Sequence, residues 1–185
     1  MNYRSADQKD IPRLKELGLA SYGRLKKHLT SENWTKMETL LESDQTFPAL
    51  VRDCHSFVCE ENDRLLGMAW LVPSGNPTKI YTPETSYIRM VGVHPDAGGK
   101  GIAQALTKLC IDKAKETGET MVSLHSAEIM YDARHIYEKL GFKKIRLLDE
   151  HYGLVYWLYE MNLDSNLNQN AGVRPPSTAM LVPFT

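Results

Sequence analysis

The sequence predicts a mixed α/β (α+β) sandwich in which one sheet carries helices on its faces. Three observations predict it. A strand over 87–93 runs through a glycine turn into an amphipathic helix. A second strand over 121–125 precedes another amphipathic helix, with Ala133, Ile136, Tyr137 and Leu140 on one face. Two more strands, over 142–148 and 154–161, close the chain as an antiparallel pair with His151-Tyr152-Gly153 between them. Strands that alternate with helices and then end in a hairpin argue against a doubly wound parallel sheet.

The elements follow in chain order. A short first strand is expected over 3–6. Asp7 or Asp10 caps the next helix, Pro12 sits in its first turn, and Ile11, Leu14 and Leu17 form its buried stripe. A second helix over 22–29 carries Arg24, Lys26, Lys27 and His28, a basic patch that also reads as an ordinary solvated face. Asn33 is the expected cap of a third short helix bearing Trp34, Met37, Leu40 and Leu41. Strands over 56–60 and 65–72 form a hairpin around Asn62-Asp63-Arg64. Three prolines mark 73–83 as a loop, and Glu84 stands at the entry to the next strand.

The stretch from Tyr87 to Phe142 carries the chemistry. Apolar, aromatic and β-branched residues extend to Val93, and His94-Pro95-Asp96 ends the strand because proline cannot donate to a ladder. Gly98, Gly99 and Gly101 leave the turn without Cβ atoms. The helix that starts there carries Ile102, Ala105, Leu106, Leu109, Cys110 and Ala114 at helical spacing, with Gly118 as terminator. The first N–H groups of a helix lack intrahelical partners and lie at the positive end of its dipole. The turn from Gly98 to Ala103 is therefore an anion seat, with the charge of Lys100 nearby. A phosphate-binding loop would need Ser or Thr after Lys100, where Gly101 stands. A dinucleotide fingerprint would need Gly or Ala at Gln104.

Net charge is −1, which argues against a general nucleic-acid or membrane-surface role. The hydrophobic fraction of 42% and the charged fraction of 24% are those of a soluble globular protein, and no long apolar run or leader is seen, so a cytoplasmic location is expected. Cys54, Cys59 and Cys110 lack metal-like spacing and read as reduced structural thiols. No metal site is expected. From Asn162 the composition turns to Asn, Gln, Ser and Pro before an apolar cluster over 179–184. The expected organisation is thus a domain over 1–162 and an extension over 163–185, whose composition reads as a disordered tail and whose apolar end suggests packing on its own domain or on a second subunit, a homodimer being left open.

Val91-x-Val93-x-Pro95 followed by Gly98-Gly-Lys-Gly-Ile-Ala103 resembles the acyl-CoA motif of the GNAT family of N-acetyltransferases, whose loop runs Arg/Gln-x-x-Gly-x-Gly/Ala. Gly101 and Ala103 match its last positions, and Gly98 stands where Arg or Gln is usual. Tyr137-x-x-x-Gly141-Phe142 resembles the same family's later helix, although Met130 occupies a position often held by Asn. The resemblance implies a GNAT-like acyl-CoA N-acyltransferase fold, with a central mixed, mostly antiparallel sheet flanked by helices.

It also implies acetyl-CoA as co-substrate and an amine of a small molecule or protein as acceptor. Carried over by position, Met90, Val91, Gly92 and Val93 would offer backbone groups to the pantetheine and acetyl carbonyl. Gly98, Gly99, Lys100, Gly101, Ile102 and Ala103 would seat the pyrophosphate. Tyr137 would be the general acid, though the residue alone also reads as a core tyrosine. Glu84 and His125 are the base candidates, with ordered water as the third option; the glutamate common on the central strand is replaced by Tyr87. The helical segment near the N-terminus would wall the acceptor pocket, and Met90, Gly92 and Leu124 would set its size. The alternative implied by the two departures is a non-catalytic acyl-CoA-binding or partner-binding module.

Overall fold

A computed structural model describes residues 1–164. Seven strands form one sheet in the order β1-β2-β3-β4-β5-β7-β6. They are β1 (Asn2–Arg4), β2 (His55–Glu61), β3 (Arg64–Val72), β4 (Ser86–Val93), β5 (Met121–Ala127), β6 (Lys143–His151) and β7 (Leu154–Asn162). Every neighbouring pair is antiparallel except β4–β5. Helices α4 (Ile102–Glu116) and α5 (Tyr131–Leu140) cover one face; α1 (Ile11–Tyr22), α2 (Ser31–Glu42) and α3 (Thr46–Asp53) cover the other.

The two faces have separate cores. Ile102, Leu106 and Cys110 of α4 and Tyr137 of α5 pack on Leu71, Ile88, Leu124 and Tyr159. Leu14, Leu17, Trp34, Met37 and Phe47 pack on Val58, Met68 and Trp70. β3 lies beside the central β4 and is buried at every residue after Arg64. Gly67 sets how closely α4 approaches it: a Cβ there would lie 2.5 Å from Ile102 Cγ2 and 2.8 Å from Leu106 Cδ1. The helix start is thereby held against the end of β4, since Gly67 pairs with Val93.

Several expectations change in detail. The second helix is a 3₁₀ turn, Gly23–His28. Asp7 caps another 3₁₀ turn, Gln8–Asp10, while Asp10 holds Arg4 and Arg13 in ion pairs instead of capping α1. Thr30, not Asn33, caps α2; its side chain accepts the Asn33 backbone N–H at 3.2 Å. Helix α3 has no counterpart in the sequence reading, where Pro48 and its short length hid it. The first strand is shorter than expected, and β5 and β6 run further. All three cysteines are unpaired. The expected packing of the apolar cluster over 179–184 lies outside the described residues.

Candidate functional site

β4 and β5 pair only at Ser86–Val122 and Tyr87–Ser123. From Ile88 onward the β5-facing edge of β4 has no strand partner among the described residues. A bulge assists the separation. Met90 adopts φ +53, and the β3–β4 register shifts between Met68 and Trp70. Met90 and Val91 thus both face Ala69, one extra backbone position on β4, which bends it away from its parallel neighbour.

A cleft of about 330 Å³ opens at this end of the sheet. Val91, Gly92 and Val93 form one wall, and Ile129 to Ala133, which link β5 to α5, form the second. Ser21, Tyr22, Arg24, Lys27 and His28 close the third side. Gly92 has no room for a side chain, since its Cβ would lie 2.7 Å from Ser21 Oγ. The basic patch thus lies partly at a cleft rim, a position that charge patterning alone could not assign.

The glycine turn lies just beyond β4. Gly99 and Gly101 both adopt φ +75, in the left-handed region that excludes most side chains. Neither would bring a Cβ within 4 Å of another group, so the turn presents open space in front of the α4 N-terminus. Gly98 differs: its φ of −58 suits any residue. Lys100 is exposed, Ala103 half-buried, and Ile102 anchors the helix start in the core at 1% exposure.

Tyr137 lies on the α4–α5 face, 6% exposed, with its ring edge-on to Phe142 at 6.1 Å. Burial pushes its phenol well up, and the nearby Tyr22 adds to that shift across the gap between the strands. Arg134 fixes the helix by donating to the Tyr159 hydroxyl at 2.9 Å and the Glu128 carbonyl at 2.8 Å. Met130 occupies the N-cap position of α5 without a side-chain hydrogen bond.

His125 lies on the opposite, α1–α3 face, in hydrogen-bond contact at 2.6 Å between its Nδ1 and the Tyr81 hydroxyl. Burial first, then the charges of His151 and Arg89, lower its pKa to about 4, so the imidazole is neutral near pH 7. Tyr81 stacks on Tyr87 with centroids 4.0 Å apart. Glu84 is exposed on the turn before β4. The structure therefore puts Met90–Val93 at the strand gap with the glycine turn just beyond it, while Tyr137 packs in the α4–α5 core beside Phe142 and Tyr159. His125 lies on the other side of the sheet, and Glu84 lies in solvent.

Gly67, Arg89, Tyr22 and Tyr81 were missed as site-forming residues. A lone glycine in an apolar strand signals a close approach, and a lone arginine between Ile88 and Met90 signals a specific partner. Tyr22 and Tyr81 carried no such signal.

The acetyltransferase (GNAT) family model matches residues 21–142, and the chain belongs to that family. Mycothiol acetyltransferase of Thermomonospora curvata is 31% identical over 88 residues, covering 48% of this chain and 27% of that protein. Human N-acetyltransferase 8B is 26% identical over 147 residues, covering 72% of this chain and 63% of its own length. The chain thus spans less than two thirds of these relatives. Among solved structures, PaiA N-acetyltransferase of Thermoplasma acidophilum, determined in complex with coenzyme A, superposes with a TM-score of 0.69 at 16% identity, covering 87% of this chain and 98% of that one.

Proposed function

We propose that this chain is an N-acetyltransferase that passes the acetyl group of acetyl-CoA directly to an amine of a small molecule or protein in the cytoplasm. The observation that carries the reading is the unpaired edge of β4 next to an open, left-handed glycine turn at a helix N-terminus. An extended thioester arm pairs with a free strand edge as an added strand does, and a pyrophosphate suits the free N–H groups of Gly99 to Ala103. The donor fits the residues present: the turn leaves the space that a side chain would fill.

Acetyl-CoA supplies an activated acyl group and a thiolate leaving group. The chain's part is to orient and to stabilise charge. Backbone N–H groups from Met90 to Val93 face the acetyl carbonyl, whose oxygen gains negative charge as the amine attacks; such a donor is often worth about 3 kcal/mol. As the C–S bond breaks, Tyr137 donates a hydrogen bond to the departing sulfur. A thiol of pKa about 8.5 needs only that assistance, and the raised phenol remains a donor throughout the physiological range. Of the two base candidates the reading favours His125, because it faces the α1–α3 side while Glu84 is solvated. Being neutral, it accepts a hydrogen bond from the incoming ammonium; its low basicity leaves water as the final proton carrier. No step calls for a metal ion.

The test is an amine panel in which thiol release from acetyl-CoA is measured for the wild type and Tyr137→Phe. Turnover is expected, with the variant slowed at least about tenfold in kcat and acetyl-CoA affinity unchanged. An unchanged rate would remove Tyr137 from the mechanism. A second reading, a non-catalytic acyl-CoA-binding module, is favoured by Gly98 and Tyr87, which replace the family's usual side chains. Tight CoA binding without acetyl-CoA consumption by any amine would decide for it.

A further inference from the structure

Arg89 is a half-buried cation without a counter-ion among the described residues. Among the described residues four arginines are half-buried: Arg4, Arg13, Arg89 and Arg134. Arg4 and Arg13 are held by Asp10 and Glu60, and Arg134 by the Tyr159 hydroxyl and a carbonyl. Arg89 has neither an ion pair nor a side-chain hydrogen bond among the described residues. Removing a guanidinium from water without such compensation is costly, so a partner that arrives with a ligand would recover that cost.

Its placement says where that partner would lie. Arg89 pairs with Trp70 across the β3–β4 ladder, so both point to the α1–α3 face. It is the last residue before the Met90 bulge and adjoins the backbone that faces the acyl group. Tyr87 lies two residues away on the same face. Tyr87 also pairs with Ser123, which puts His125 on that face too. Tyr22, Tyr81, Tyr87, Tyr152, Cys54 and His125 all feel the Arg89 charge. These groups are neutral near pH 7, and no carboxylate is among them. The adjoining cleft is also cationic, being lined by Arg24 and Lys27 against the single acid Asp132.

We propose that the acceptor is a small amine that also carries a carboxylate, and that Arg89 binds this carboxylate while the amine faces the acyl group. The proposal rests on the acetyltransferase reading and narrows its acceptor. Guanidinium and carboxylate match as two parallel N–H···O bonds, and the surrounding tyrosines supply apolar walls with hydroxyl donors. Polyamines are disfavoured at the same place by like charge.

The experiment compares each common amino acid with its primary amide, which has the same amine and nearly the same shape without the carboxylate. Thiol release from acetyl-CoA is read for wild type, Arg89→Gln and Arg89→Lys. In parallel, CoA-saturated protein is titrated with the same compounds. For the wild type, at least one acid should bind and react with kcat/KM at least about tenfold above its amide. Arg89→Gln should raise the KM for the acid at least about tenfold and erase the preference, Arg89→Lys should retain part of it, and acetyl-CoA affinity should hold in both. Equal turnover of acid and amide, a preference that survives in Arg89→Gln, or no carboxylate binding to the CoA-saturated wild type would overturn the proposal. Failure of the wild type to bind acetyl-CoA would overturn the acetyltransferase reading beneath it, so the two failures are distinct.

Discussion

Within the turn ahead of α4, Gly98 and Gly101 differ in backbone conformation. Gly101 adopts φ +75, which costs an alanine roughly 1 kcal/mol or more. Its Cβ would meet nothing within 4 Å, so any larger loss must come from a ligand that needs the space. Gly101→Ala should therefore lower Tm slightly and weaken acetyl-CoA binding more than the strain explains. Gly98 has an ordinary φ of −58, and its Cβ would lie 3.3 Å from the Pro95 carbonyl oxygen. Gly98→Ala should change acetyl-CoA affinity little, as titration calorimetry on both variants would show; equal losses would mean that the turn does not seat the ligand. His125 is a second test at this scale. Its folded pKa of about 4 lies below the unfolded value near 6.5, so the unfolded chain binds the extra proton first. Stability is then full above about pH 6.5 and falls as pH drops through 4. His125→Gln, which can still bond Tyr81, should flatten the Tm profile in that window; an unchanged profile would show that His125 does not control it.

At the scale of elements, one ion network ties the chain start to the sheet. Asp10, 1% exposed, holds Arg4 of β1 and Arg13 of α1, and both arginines reach Glu60 of β2. Arg4 first, then the other hydrogen bonds, holds the Asp10 carboxyl at about 2 against burial. Asp10→Asn leaves the arginines short of a charge and should cost about 3 kcal/mol, measured by urea unfolding. Because the folded pKa is depressed, the wild-type advantage should persist above pH 4 and fade toward pH 2. A loss below about 1 kcal/mol would show that the network is solvent-screened. Sequence could not reveal this network, because it joins residues some fifty positions apart. It also could not assign Asp10, whose place before Ile11 looks like a helix cap.

Over the whole molecule, what was legible followed periodicity and glycine placement. The strand, turn and helix around Gly101 and the helix ending at Gly141 occupy their expected places, because each is set by local backbone preferences. The mixed sheet also follows from its order of elements. What was not legible depends on distant packing. The cleft is closed by Tyr22 and Arg24, which are remote in sequence from Val91, and Arg89 acquires meaning only when tyrosines from three other segments surround it. The 3₁₀ turn at Gly23–His28 and helix α3 likewise depend on their contact with α1 and β2 rather than on strong local signals.

The central claim is that the gap between β4 and β5, with the glycine turn at its end, receives acetyl-CoA. Titration calorimetry of the protein with acetyl-CoA, and in parallel with ATP, tests it most directly. Micromolar binding of acetyl-CoA in a one-to-one complex, with no heat from ATP, is the predicted result. Absence of acetyl-CoA binding, or equal binding of ATP, would contradict it, because the turn would then be only a structural corner or a general phosphate seat.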